Sequence, residues 1–259
     1  MNTTPDSIAK YTATAPVMLV TGGSKGIGAA TVLLAAQQGW QTAFCYRGDA
    51  AAAEKVVQAT ASCPHQALAL QADIADEAQV EQLFNKVAQT FGHIDCLVNN
   101  AGIVGPRMRL VDMDLPRWQQ LFATNVFGAM LCARAAVRHM STAHGGQGGS
   151  IVNVGSTASR LGAGGRYIDY AASKGAIDSF TIGLAQEVAQ EGIRVNTVRP
   201  GVVDTTIHTD DAAQMQKRAQ AIPLQRIATP EEVAQAIVWL ASPAASYVTG
   251  TLVDVAGGR

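Results

Sequence analysis

The stretch Val17-Met18-Leu19-Val20-Thr21-Gly22-Gly23-Ser24-Lys25-Gly26-Ile27-Gly28 decides how the rest of the chain is read. Its first four residues form an unbroken apolar run, the pattern of a parallel strand buried on both faces. Glycines punctuate the turn that follows, and a helix then runs to about Gln38, stopped by Gly39. Strand, glycine turn and helix in this order let the backbone approach a pyrophosphate at a helix N-terminus, where free N–H groups and the dipole favour anions. The spacing of Gly22, Gly26 and Gly28 is not the usual Gly-x-Gly-x-x-Gly, but the flanking strand and helix supply the required context. Ser24, Lys25 and Ile27 complete the candidate cradle.

Working outward, the same alternation continues at a pitch of roughly 25–30 residues. A second strand is expected at Gln41–Tyr46, a helix over 51–61 and a third strand at Gln66–Gln71. The next helix is predicted to open with a capping box, Asp76 with Gln79. It carries Val80, Leu83, Phe84, Val87 and Phe91 at the spacing of one buried face. A fourth strand at Ile94–Val98 leads into Asn99-Asn100-Ala101-Gly102, and a long helix spans Trp118–Met140. Strand five, from Ile151, is followed by a glycine-rich loop and a helix from Tyr170 to about Gln190; strand six is Arg194–Val198 and the last is Thr251–Val255. Residues 202–226 have no clean period, as expected of a structureless substrate lid, and Thr229-Pro230-Glu231-Glu232 has the signals of a helix start. The pattern predicts an α/β fold, a single-domain doubly wound parallel sheet of about seven strands flanked by helices, of Rossmann type. Residues 1–15 read as a disordered extension and 16–259 as one dinucleotide-binding catalytic domain.

Composition narrows the function. A net charge of −1 gives no electrostatic footprint for nucleic acid or an anionic membrane. No uninterrupted apolar stretch approaches the length of a membrane span, and the start lacks the pattern of a signal peptide. The cysteines at 45, 63, 96 and 132 lack metal-like spacing and read as buried free thiols in a reducing, cytoplasmic setting. The histidines show no ligand pattern, so no metal site is expected.

Ser156 to Lys174 reads STASRLGAGGRYIDYAASK. Tyr170 and Lys174 are four apart on a predicted helix and share a face. An ammonium about 4 Å from a phenol is worth roughly 4 kcal/mol at an effective dielectric near 20. That is about three pKa units, enough to bring a phenol toward working pH. Tyr167 has Ala171 four residues on, lacks a lysine, and reads as a pocket-lining aromatic.

The end of the second strand bears on the cofactor. Dinucleotide sites that take NAD usually place an acidic residue about 20 residues beyond the glycine turn, for the ribose. Here Tyr46 and Arg47 stand at the strand end, and no carboxylate comes before Asp49. A guanidinium suits a 2′-phosphate, and Lys25 adds a second positive charge. NADP(H) is therefore expected over NAD(H).

With these residues in view, the chain resembles the short-chain dehydrogenase/reductases over nearly its whole length, and in particular bacterial 3-oxoacyl-carrier-protein reductases and glucose dehydrogenases. The matching pieces are TGGSKGIG at 21–28, ADI at 72–74, NNAG at 99–102, Asn125 in ATNVFG, Ser156, YAASK at 170–174 and RPGVVDT at 199–205. The resemblance implies that Tyr170 exchanges a proton with the substrate oxygen and that Lys174 lowers the phenol's pKa and holds the nicotinamide ribose. It implies that Ser156 holds the substrate oxygen and that Asn125 kinks its helix and holds a water in a proton relay. Asp73 and Ile74 would flank the adenine. Asn99, Ala101 and Gly102 would line the ribose side, and Pro200, Gly201, Val203 and Thr205 the carboxamide side.

Two departures stand out. The Ser156–Tyr170 interval is about one residue longer than in most relatives, which leaves Thr157 and Ser159 as competitors for the serine role. Position 155 is glycine where many relatives have serine. The implied activity interconverts a ketone and a secondary alcohol, most like a 3-oxoacyl thioester reductase, with a sugar or polyol dehydrogenase as the alternative and a non-catalytic dinucleotide sensor as the remote one. Arg107, Arg109, Arg160, Arg166 and His208 are candidates for an anionic substrate. Small residues Ala171, Ala172, Gly175 and Ala176, with the family habit, imply a homotetramer.

Overall fold

The structure, a computed structural model, describes residues 15–205 and 212–259. Strand β1 is Val17–Thr21, β2 Gln41–Tyr46, β3 Leu68–Gln71, β4 Cys96–Asn99, β5 Gly149–Val154, β6 Ile193–Pro200 and β7 Leu252–Val255. They form one sheet in the order β3-β2-β1-β4-β5-β6-β7, every pairing parallel. The order reverses between β1 and β4, which opens a crevice at the carboxyl ends of those strands.

Alternate side chains of the strands feed two cores. Val17, Leu19, Ala43, Cys45, Leu97 and Ile151 pack beneath α3 (Glu77–Phe91), α5 (Ala129–Met140) and α7 (Ile168–Val188). Met18, Val20, Phe44, Val98 and Val152 face α1 (Gly26–Gln37), α2 (Ala50–Ala59) and α9 (Pro230–Ala241). The unbroken apolar strands of the sequence are thus explained by helices on both faces. Helix α9 starts with a complete capping box, Thr229 with Glu232. That of α3 is incomplete: Asp76 accepts from Ala78 and Gln79, but the Gln79 side chain turns to the Asp73 amide and the Asp76 carboxylate.

Three expectations change. The long helix before β5 is α4 (Leu115–Phe122), a π-helical stretch Ala123–Gly128 and α5, and the wide turn carries Asn125. This 26-residue run has the length and hydropathy to cross a membrane, contrary to the reading that no segment does. Its apolar side chains Cys132, Ala133, Ala136 and Met140 are instead buried in the core. The lid region is not structureless, because α8 occupies Ala212–Gln220. Residues 1–14 and His208 lie outside the described residues, as do 206–211 of the lid.

The free thiols of Cys45, Cys96 and Cys132 are buried, whereas Cys63 is half-buried. Burial pushes Cys45 up to about 11 and Cys96 up to about 12.

Candidate active site

One cavity of about 740 Å³ runs along the crevice. Its first end is the glycine turn. Gly22 and Gly26 have positive φ values of 65° and 52°. A Cβ on Gly28 would lie 2.4 Å from the Gly22 carbonyl oxygen, and one on Gly22 2.9 Å from the Ala101 Cα. The first turn of α1 has no acidic residue, and its N-cap Lys25 makes no side-chain cap. Among the described residues the leading N–H groups of α1 thus open on the cavity without a side-chain acceptor. That is a fit for a pyrophosphate.

Ser24, Lys25, Gly26, Ile27, Arg47, Asp73, Ile74, Ala101, Gly102, Pro200, Gly201, Val203 and Thr205, all candidates from the sequence, border this cavity. Asn99 does not. Its amide donates to the Ala129 carbonyl and to Asn153 Oδ1, both at 3.0 Å, inside the core under α5. The neighbour Asn100 takes its place: its amide donates to the carbonyls of Thr21 and Gly22 at 2.9 and 3.0 Å, tying the β1 turn to the β4 turn. Period-two alternation carries this signal, since Asn99 shares the face of Leu97.

At the glycine-turn end the two cations expected from the sequence are both partnered. Lys25 Nζ lies 2.5 Å from Asp49 Oδ2, and Arg47 Nη1 lies 4.0 Å from Asp73 Oδ2. Asp49 also caps α2 through the Ala52 amide, and Lys25 holds its carboxyl below the usual range. Asp73 additionally accepts from the Ala75 amide, so it braces its turn as well as bordering the cavity.

The other end holds Ser156, Tyr170 and Lys174. Ser156 Oγ accepts from the Ala158 amide at 3.1 Å, and Ser156 and Tyr170 border the same cavity. The two competitors are committed elsewhere: Thr157 Oγ1 donates to the Pro200 carbonyl, and Ser159 Oγ to the Ser156 carbonyl. The loop between Ser156 and Tyr170 carries the short helix α6, Ala158–Leu161, which Gly162 ends with φ 76°.

Lys174 is 5% exposed, and its Nζ donates to the Val154 carbonyl at 2.7 Å. It stands 5.7 Å from the Tyr170 ring centroid. Burial draws its pKa down to about 8, opposed by the charge of Asp178. The phenol behaves differently from the expectation: enclosure in the crevice raises its pKa, and the Ser156 hydrogen bond is what opposes the rise. The ammonium is turned to the Val154 carbonyl, so lowering by Lys174 is not what this geometry displays.

Asn125 is 1% exposed. Its side chain pairs with both backbone groups of Ile103, accepting at 2.8 Å and donating at 2.9 Å, and also donates to Ser173 Oγ. It therefore clamps the loop after β4 against α7. A Cβ on Gly102 would sit 3.4 Å from Asn125 Oδ1 and 3.6 Å from Lys174 Nζ, which places the three groups together.

The three mouth loops are knit by one arginine, Arg107, a candidate substrate contact in the sequence. Arg107 Nε donates to the Tyr167 hydroxyl at 2.9 Å and Nη1 to Gln214 Oε1 at 3.2 Å, and the Met108 amide bonds the Arg166 carbonyl. Arg160 is tied to Asp254 and to the Arg259 carbonyl. Arg109 is exposed and away from the cavity, whereas Arg166 borders it. A pair not foreseen at all, Arg117 with Asp169, is enclosed at 2.6 Å beside Tyr170, with the guanidinium lying against Gly105, where a Cβ would meet it at 2.4 Å.

Comparison with known proteins agrees with this architecture. The family described as "Enoyl-(Acyl carrier protein) reductase" matches residues 22–259. The uncharacterized oxidoreductase YgfF of Escherichia coli is 49% identical over 245 residues, covering 94% of this chain and 99% of its own. A 3-oxoacyl-[acyl-carrier-protein] reductase of Synechocystis is 39% identical, covering 95% of this chain and 97% of its own. The crystal structure of a short chain dehydrogenase from Burkholderia cenocepacia in complex with NADP superposes with a TM-score of 0.88 at 33% identity, covering 95% of this chain and 98% of that one. The chain belongs to the short-chain dehydrogenase/reductase family, and it is an oxidoreductase whose crevice takes a nicotinamide dinucleotide.

Proposed function

We propose that this protein is an NADP(H)-dependent reductase of ketones to secondary alcohols, with 3-oxoacyl thioesters as its preferred substrate class. The observation that carries the proposal is the convergence of Ser156, Tyr170 and Lys174 at one end of a cavity whose other end is the glycine cradle. When bound, the dinucleotide supplies the hydride. Ser156 and Tyr170 hold the substrate oxygen, and Tyr170 gives it a proton as negative charge develops. A phenol whose pKa is raised by burial enters the reduction protonated, as a donor must. Lys174 holds the nicotinamide ribose and restores the phenol's proton, while Asn125 fixes the loop that borders both.

Several features favour an acyl chain over a sugar. Ile103, Val104, Leu161, Ala163 and Val202 border the substrate end. A polyol would leave its hydroxyls facing these apolar groups, at a cost for each unpaired hydroxyl. The Synechocystis relative is a 3-oxoacyl reductase. Preference for NADP rests on Arg47 and Lys25 at the adenosine end and on the NADP-bound Burkholderia relative. Homotetramer formation is part of the proposal, supported by exposed Phe127 beside α5 and exposed Ile182 on α7, and a cytoplasmic location is supported by the free thiols.

The test follows loss of NADPH absorbance with acetoacetyl-CoA, simple diketones and, in reverse with NADP, glucose. Turnover of the thioester that Tyr170→Phe abolishes is the expected result. Binding of NADPH without turnover of any ketone would return the protein to the sensor class, and glucose oxidation as the fastest reaction would move it to the polyol class.

A further inference from the structure

Behind the Ser156–Tyr170–Lys174 end runs a string of charges that this chemistry does not use. Asp178 lies one turn after Lys174 on α7 and on the same face, and it is 9% exposed. Its Oδ2 meets Arg199 Nη1 at 3.4 Å, while its Oδ1 is buried with no hydrogen-bond partner. Arg199 makes its closer bond to Asp254, Nε to Oδ1 at 2.6 Å. The other Asp254 oxygen takes Arg160 Nε at 3.1 Å, and Arg160 also donates to the Arg259 carbonyl. Lys174, Asp178, Arg199, Asp254 and Arg160 thus alternate in sign from α7 across β6 and β7 to the α6 loop.

Gly155 is the wall between this string and the site. A Cβ there would lie 2.7 Å from Thr197 Cγ2, 3.1 Å from Arg199 Cγ and 3.3 Å from Asp178 Oδ1. Glycine at position 155 is therefore what lets the Asp178 carboxylate and the aliphatic stem of Arg199 press against the backbone between Val154 and Ser156. A buried carboxylate with one oxygen unpaired is destabilising by itself, and an apolar replacement of such a pair is often the more stable choice. Its retention one turn from a buried lysine needs an electrostatic reason.

We propose that Asp178 is a positioning residue that keeps Lys174 in its ammonium form inside the crevice, and that Arg199, drawn off toward Asp254, sets how much of the Asp178 charge Lys174 receives. The inference rests on the reading of Lys174 given above. The titratable and charged groups around Lys174 are the Tyr170 phenol and Asp178 on α7, Arg199 on β6, Asp254 on β7, and the mutually neutralising Arg117–Asp169 pair at the start of α7. Among them Asp178 is the one whose charge opposes the burial of Lys174.

Two variants separate this from a merely structural role because they act in opposite directions. The rate of Lys174 acetylation by acetic anhydride, followed against pH by peptide mass spectrometry on the apoprotein, reports its protonation without any turnover. The alkaline limb of kcat/KM with NADPH reports the same group at work. Asp178→Asn should lower both midpoints by about one pH unit or more, Asp178→Glu should restore them, and Arg199→Gln should raise them. An Asp178→Asn protein with an unmoved labelling midpoint would overturn the inference. Should that variant fail to fold, an unmoved or lowered midpoint in Arg199→Gln overturns it equally. A wild-type protein that reduces no ketone would sink the functional reading instead, and the labelling midpoints would still decide the role of Asp178.

Discussion

Two lysines border the same crevice and meet very different fates. Lys25 sits at the adenosine end with its side chain 51% exposed and bonds Asp49 at 2.5 Å. Lys174 sits at the reaction end, 5% exposed, bonded to a backbone carbonyl. The first is a wet ion pair of the kind worth about 0–1 kcal/mol and screened by salt. The second is a buried charge whose protonation depends on what lies behind it. The crevice is thus graded, from solvated charges at its Lys25 end to enclosed ones at its Lys174 end. Substitutions at the two ends should differ in magnitude accordingly.

The largest effect should come at the dry end. Tyr170→Phe is expected to lower kcat/KM by roughly 10³-fold or more while the Kd for NADPH stays within a few-fold, because it removes a proton donor rather than a binding contact. Lys174→Met should be nearly as inactive, yet more heat-stable. The lysine's folded pKa of about 8 lies below its ordinary 10.5. The unfolded chain therefore binds more protons between those values, and wild-type stability should rise with pH across that window. Lys174→Met should lose this rise and gain at most about 3 kcal/mol below pH 8. A variant with a lower Tm and unchanged pH dependence would refute the assignment.

Gly28→Ala comes next. The added Cβ meets the Gly22 carbonyl at 2.4 Å. The strain, about 1–3 kcal/mol, should appear as roughly 10- to 100-fold weaker NADPH binding in a fluorescence titration. Binding within twofold of wild type would mean that the turn gives way easily.

At the wet end the effects should shrink. Arg47→Ala should reduce the NADPH-to-NADH ratio of kcat/KM by about tenfold, and an unchanged ratio would remove Arg47 from the 2′-phosphate. Asp49→Asn releases Lys25 and should strengthen NADPH binding by no more than about threefold, an effect that high salt should erase. A large, salt-insensitive change would mean that the two ends of the crevice are alike after all.

Much of this was legible before any coordinates. The strands announce themselves as apolar runs, and the glycine turn could be placed because each signal spans only a few residues. Thr229 with Glu232 was read correctly for the same reason. The errors have physical causes too. Asn99 was assigned to the crevice because the motif was read as a block, without the alternation that turns it inward. Residues 202–226 looked structureless because α8 is polar and lacks an apolar stripe. The arginines of the mouth could be read either as substrate contacts or as loop charges, and Arg107 and Arg160 are spent on bonds to Tyr167, Gln214 and Asp254, which no spacing along the chain records.

What the sequence alone determined is the alternation of buried strands and helices, the glycine turn between the first strand and helix, and the placement of Ser156 after a strand and of Tyr170 and Lys174 on one helix. These depend on spacing along the chain, and backbone sterics turn spacing into shape. Only the tertiary structure decided which partner each charge takes. Asp178 and Arg199 are 21 residues apart, and Arg199 and Asp254 are 55 apart. No periodicity records such pairings, because they arise where two parallel strands, β6 and β7, and helix α7 bring their side chains together.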